Sequence, residues 1–203
     1  MPHWDEPGFQ QINCPPVDIA GCAGRQLEGF MDVAHFAVIP TATFADPENK
    51  AVPAYGPRRI DYGFEAEYWG TVGNYPAGAA HTGPEGFHWL RHFCCTPSFT
   101  ATLIVHFPGD GRLAIMHAAS PVSAGVTRMF APIARNFDKD IPVADVHEFN
   151  ARVFEEDRLM VETRQPTLLP LGPAAEVHLQ ADISSTLYRR LLTEMGRTFT
   201  NPV

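Results

Sequence analysis

The stretch from Ser98 to Val122 constrains the fold more than any other part of the chain. It reads "SFTATLIVHF", then "PGDG", then "RLAIMHAASPV": two strand-like runs joined by residues that tight turns favour. Similar runs lie on either side, "FHWLRHFCC" at 87–95 and "GVTRMFAPIARNF" at 125–137, so an antiparallel meander is expected. If Phe107 pairs with Arg112 across the turn, Thr102, Ile104, His106, Leu113, Ile115 and His117 share one face. Leu103, Val105, Phe107, Ala114 and Met116 then share the other.

Helical patterns bracket this sheet. Leu27, Phe30, Met31, Ala34 and Val38 recur at helical spacing until Pro40, a helix of about three turns. Val146, Phe149, Val153, Met160 and Val161 make the apolar stripe of a longer helix, and Ile183, Leu187, Leu191 and Met195 fall in register in a last one that ends at Gly196. Residues 1–25, with Pro7, Pro15, Pro16, Gly21 and Gly24, read as an extended lead-in with one short strand at most. "YGFEAEYWGTV" at 62–72 reads as a strand after a Pro-rich connection, and "EVHLQAD" at 176–182 as a short one. The expected fold is α+β, an antiparallel sheet gripping a long helix, and with no break in composition it forms one domain over residues 1–203.

Charge narrows the function. The net charge is −8 and no basic cluster stands out, which argues against nucleic acid and anionic membranes. No run reaches the ~18 apolar residues of a membrane span, and "MPHWDEPGFQ" lacks the order of a signal peptide, so a cytoplasmic protein is expected. Phosphate loops and Gly-rich dinucleotide fingerprints are absent. Cys14, Cys22, Cys94 and Cys95 have neither zinc-knuckle nor disulfide-framework spacing and read as reduced structural thiols.

Asp157 is the residue that most suggests chemistry. It sits near the middle of the long helix's apolar stripe, whereas Glu155 and Glu156 lie further round. A carboxylate buried without a partner protonates, so an inward aspartate implies a cation, a donor cluster or a metal. A salt bridge to an arginine such as Arg164, or to a histidine, meets the same need. Asp32 and His35, three apart on the first helix, form an adjacent pair in which the carboxylate either orients the ring or joins it in a site. A histidine and an aspartate facing inward from two helices supply two of the three ligands of a non-haem iron facial triad. His88 and His92, four apart, and His106 and His117, on one face of the expected hairpin, could supply a third ligand or line a ligand cavity.

Four segments carry a resemblance: "GFMDVAHFAVIPTATF", "AASPVSAGVTRMFAPIARNFD", "VFEEDRLMVETRQP" and "TLYRRLLTEMG". Together they resemble the catalytic domain of Rieske-type aromatic-ring-hydroxylating oxygenases, near the vanillate demethylase and phenylpropionate dioxygenase large-subunit branch. The resemblance extends over nearly the whole chain. It implies a helix-grip fold enclosing a hydrophobic pocket, with His35 and Asp157 as iron ligands and Asp32 as the residue bridging iron to a neighbouring subunit's Rieske cluster. It also implies an aromatic or similarly apolar substrate, hydroxylated or demethylated, and a homotrimer. Three departures stand out. The family's second ligand histidine falls at Pro40, which cannot ligate iron, and its asparagine before the bridging aspartate is Gly29. The Cys-x-His and Cys-x-x-His pairs of a Rieske [2Fe-2S] cluster do not occur in these 203 residues, so electrons are expected from a partner polypeptide. Two functions follow. One is an oxygenase component using Fe(II), fed by a Rieske-containing partner. The other is a degenerate, non-catalytic domain that binds a hydrophobic small molecule or pairs with an intact paralogue.

Overall fold

Alternation of apolar and polar residues organises the structure, a computed structural model that describes residues 1–35, 51–70, 87–172 and 175–196. The described strands are β1 (Gln10–Asn13), β2 (Val17–Ile19), β3 (Arg58–Ile60), β4 (Gly63–Gly70), β5 (Trp89–Thr96), β6 (Thr100–His106), β7 (Arg112–Ser123), β8 (Val126–Phe130) and β9 (Pro132–Arg135). They pair antiparallel in the order β1-β9-β7-β6-β5-β4-β3, with β8 bridging β7 to β2 at one end. The helices are α1 (Ala23–Met31), α2 (Val143–Glu162) and α3 (Ile183–Glu194). This is the expected α+β architecture.

One face of the sheet is the core face. Phe64, Ala66 and Tyr68 of β4, Trp89, Phe93 and Cys95 of β5, and Ala101, Leu103 and Val105 of β6 are buried, while the residues between them are more open. All three helices pack on that face. α2 closes an aliphatic cluster over Ile12, Ile19, Met129 and Ile133, and α1 and α3 close a second over Phe64, Cys95 and Ala101. A third cluster is aromatic: Tyr68, Trp89, Phe93, Phe107 and Phe137, with Phe30 of α1 packed against it.

The hairpin register differs from the expected one by a residue. His106, not Phe107, pairs with Arg112, and His117 pairs with Ala101. The loop is longer than "PGDG": the Phe107 N–H donates to the Gly111 carbonyl at 2.8 Å, around a 3₁₀ turn over Pro108–Asp110 in which Gly109 takes φ 63°. Because side chains alternate, a one-residue slip turns a strand over. His106 therefore lies on the outer face, and His117 alone of the two faces the helices.

Local boundaries shift as well. The lead-in holds two short strands, and α1 starts at Ala23 and ends at Met31, whereas the apolar spacing places it from Leu27 toward Pro40. Residues 36–50, Pro40 included, lie outside the described residues. α1 stops where it does because Asp32, extended at φ −71° and ψ 119°, accepts the Ala34 N–H on its own carboxylate at 2.8 Å. That local bond competes with helix propagation. α3 occupies the expected segment but turns a different face inward: Ser185, Tyr188, Arg189 and Leu192 are buried, while Met195 is exposed. Residues 180–182 of the expected short strand form a 3₁₀ turn instead.

Candidate metal centre

α1 is buried on nearly every side, and it crosses α2 at Gly29. A Cβ at Gly29 would meet the Met160 Cε at 3.1 Å and the Val161 Cγ2 at 3.4 Å, so a small residue here is what lets the helices approach this closely. Asp157 stands one turn before Val161 on α2, and the Asp32–His35 turn follows directly after α1. The crossing thus brings His35 and Asp157, 122 positions apart in sequence (157 less 35), together: His35 Nε2 lies 3.9 Å from Asp157 Oδ1.

The electrostatics of this pair follow from burial. The Asp157 carboxyl is pushed up to about 7 by burial, with the charge of Glu156 adding to the effect. About a fifth of its side chain still meets solvent, and among the described residues no donor lies within hydrogen-bonding distance of its carboxylate. The His35 imidazole is held below its ordinary value, chiefly by burial; the charge of Asp32 and a hydrogen bond to its backbone oppose this, while Arg164 and Arg91 reinforce it. A neutral ring is the form that binds metals. Asp32 and His35 are adjacent as expected, but through a turn rather than along a helix face.

Behind Asp32 lies an ion cluster that spacing in the sequence did not reveal. The Glu28 carboxylate, 2% exposed, accepts from Arg189 Nε at 2.7 Å and Nη2 at 2.9 Å and from Arg25 Nη1 at 3.2 Å. Glu176 accepts from Arg25 and from Arg189 Nη2 at 2.6 Å. Burial alone would raise the Glu176 carboxyl, but these arginines outweigh it and hold it down to about 2. Arg164, one of the alternative salt-bridge partners considered for Asp157, turns the other way and stands 3.6 Å from both Glu28 Oε2 and Asp32 Oδ2. A cleft of about 360 Å³ opens on this cluster, lined among others by Glu28, Asp32, Arg164, Glu176, Asp182 and Arg189. The available signal was Arg189 within the buried stretch of α3 and the Arg25–Glu28 spacing around Leu27. Arg91, which the sequence also did not single out, is buried on the core face 5.8 Å from the centre of the Tyr68 ring.

The remaining candidates separate by face. His88 is exposed just before β5, His92 Nε2 lies 3.5 Å from Glu65 Oε2 on the outer face, and His106 is on that face too. His117 faces inward with its ring centre 4.6 Å from that of Phe30, is 2% exposed, and has no hydrogen-bond partner for Nε2 among the described residues. No set of three His, Cys, Asp or Glu side chains gathers in a metal-holding arrangement among the described residues. Burial raises the thiols of Cys14, Cys94 and Cys95, with Glu65 adding to it at Cys94. They are protonated near neutrality and poor nucleophiles. No described helix is long and apolar enough to cross a membrane.

Comparison with known proteins identifies the family of the fold. Residues 19–198 match the vanillate O-demethylase oxygenase C-terminal domain. The methylxanthine N1-demethylase NdmA of Pseudomonas putida is 27% identical over 197 residues, taking in 93% of this chain and 54% of NdmA. The probable methylxanthine N7-demethylase NdmC of Pseudomonas sp. (strain TJI-51) is 24% identical over 204 residues, 98% of this chain and 71% of NdmC. The chain thus spans about half the length of NdmA. The structure of NdmA with caffeine matches with a TM-score of 0.77 at 25% identity, over 96% of this chain and 55% of NdmA. Dicamba monooxygenase bound to dicamba shares the fold, with a TM-score of 0.76 at 12% identity over 94% of this chain and 59% of that one. Matched over most of its length, the chain belongs to the vanillate O-demethylase oxygenase C-terminal domain family, the catalytic domain of Rieske-type oxygenases.

Proposed function

We propose that the chain is the catalytic part of a non-haem iron oxygenase that hydroxylates or O- or N-demethylates an aromatic or similarly apolar small molecule. The observation that carries this is the His35–Asp157 pair: 3.9 Å apart, with no hydrogen-bond donor on Asp157 among the described residues. Adjacent ligands about 2.1 Å from a shared octahedral or tetrahedral ion stand about 3.0 to 3.4 Å apart, and a hydrogen bond closes to about 3.2 Å or less, so the pair at 3.9 Å is wider than either. The donor types, a neutral imidazole and a carboxylate without a hydrogen-bond donor among the described residues, suit a divalent cation on which His35 and Asp157 would close by less than about 1 Å, the difference between 3.9 Å and that spacing. Dioxygen activation is the chemistry that iron supplies when bound there.

The chain's own residues do the rest. His35, kept neutral by burial, offers Nε2 toward Asp157, and Phe30, Phe93 and the aromatic cluster make the neighbouring core face apolar, the surface an aromatic substrate would need. Asp32 lies between this site and the charged cleft, where electrons from a Rieske-containing partner, in a homotrimer or from a paralogue, would enter. N-demethylation of a methylated heterocycle is the reaction that the likeness to NdmA favours.

The test is anaerobic reconstitution with Fe(II), followed by metal analysis. Near-stoichiometric iron is expected, falling at least tenfold in His35→Ala and Asp157→Ala, in line with the loss of a metal ligand. Absence of bound iron near neutral pH would overturn the reading. Pro40, in the place of the family's second histidine, favours one alternative: a non-catalytic domain that binds a hydrophobic ligand or serves as an accessory subunit. Ligand binding without iron is its expected outcome.

A further inference from the structure

We propose that Arg164 is a positioning residue for this site, its charge facing Asp32 and thereby biasing the turn that carries His35. The inference rests on the metal-site reading above and adds a residue that the reading does not require. Its starting point is Glu28, whose carboxylate is immobilised by Arg189 from α3 and Arg25 from α1. Arg164 stands just past α2, its own N–H donating to the Val161 carbonyl at 3.2 Å. From there Nη1 reaches Glu28 and Nη2 reaches Asp32, each at 3.6 Å, so two nitrogens of one planar group lie between two carboxylates.

Both Asp32 oxygens then have a partner: Oδ1 accepts the Ala34 N–H at 2.8 Å, and Oδ2 faces the Arg164 charge at 3.6 Å, an ion pair rather than a hydrogen bond. The bond from Ala34 shapes the turn from Asp32 to His35. Asp157 lies seven positions before Arg164 (164 less 157), and Arg164 follows directly on the helix that carries it. The helix carrying the carboxylate ligand and the segment just past its end therefore together face the turn bearing the imidazole ligand. Lysine, with a single ammonium on a flexible stem, cannot span two carboxylates in this way.

The experiment is a Co(II) titration of the purified chain, followed by visible absorption, in a double-mutant cycle of Arg164→Met and Asp32→Asn. Arg164→Met is expected to weaken Co(II) binding about fivefold in the unaltered background and less than twofold in the Asp32→Asn background, the mark of two residues acting through each other. Arg164→Lys is expected to recover only part of the loss. Equal weakening in both backgrounds, or none in the unaltered one, would overturn the proposal, because a general effect on the fold ignores Asp32. Should Arg164→Met not fold, Arg164→Gln carries the same cycle with the same outcomes. Failure of the unaltered protein to bind Co(II) would sink the metal-site reading and this inference together, whereas binding that Arg164 does not influence sinks this inference alone.

Discussion

His117 shows how a single residue can be placed by register and then judged by physics. Buried against Phe30, with Nε2 unpartnered among the described residues, its imidazole is pushed down to about 3 by burial. Between its ordinary value of 6.5 and that value, the unfolded chain binds a proton that the folded chain refuses. Stability therefore falls as pH drops through this window and is untouched above it, by up to about 1.4 kcal/mol per pH unit. His117→Phe removes this proton and a buried polar atom that costs about 1–3 kcal/mol to leave unpaired. The substitution should be neutral or stabilising near pH 7 and should flatten the loss of stability between pH 7 and 5 by up to about 2 kcal/mol in urea unfolding. Parallel pH profiles would mean that the ring finds a partner on protonation. At this scale Asp157 and His35 were legible from the sequence, because a carboxylate in an apolar stripe and a histidine one turn from an aspartate are local anomalies. The face of His106 was not, because it depends on one residue of loop length.

At the level of elements, patterning reached the helices and strands but not their contacts. The meander, α2 and α3 follow from period, whereas the end of α1 was set by a side chain, Asp32, bonding to its own backbone. The buried face of α3 was set by Tyr188, whose hydroxyl donates to the Ser98 carbonyl at 2.6 Å, and by Arg189 in the ion cluster. Gly29, which departs from the asparagine expected by resemblance, has its reason at this scale as the seat of α1 on α2. Gly29→Ala presses on the flexible end of Met160, touches Val161 at ordinary contact distance and gains helix propensity of up to about 1 kcal/mol, so near-neutral stability is expected. Gly29→Val adds branches that Met160 and Val161 cannot both clear, and should cost about 1–3 kcal/mol. It should also weaken Co(II) binding, because pushing α1 off α2 separates His35 from Asp157. An unchanged Co(II) affinity in a Gly29→Val protein of lowered stability would show that the crossing does not set the site's geometry.

Across the whole molecule, the least legible feature is the one that ties its ends together. Arg25 and Glu28 come from near the start of the chain, Arg164 and Glu176 from its last quarter, and Arg189 from α3; no periodicity connects them, and each alone reads as a surface charge. Yet Glu28 and Arg189 are almost fully buried, and α1 reaches α3 through them. Removing one member of a buried pair leaves its partner's charge without compensation, at a cost of about 3–5 kcal/mol, more than the pair itself contributes. Arg189→Met strips Glu28 of both its shortest donors and Glu176 of one, while Arg25 remains to bond each of them. A loss toward the lower end of that range is therefore expected, read as a shift in the urea midpoint near pH 7. The cluster also has an acid limit. Glu176, held down to about 2, contributes stability that is complete above its ordinary value of 4.5 and fades as pH falls toward 2. Arg189→Met should therefore lose less stability than the unaltered protein on acidification through that window. If Arg189→Met costs under about 1 kcal/mol, the cluster is screened like a surface ion pair, and α3 is held by Tyr188 and Leu192 instead.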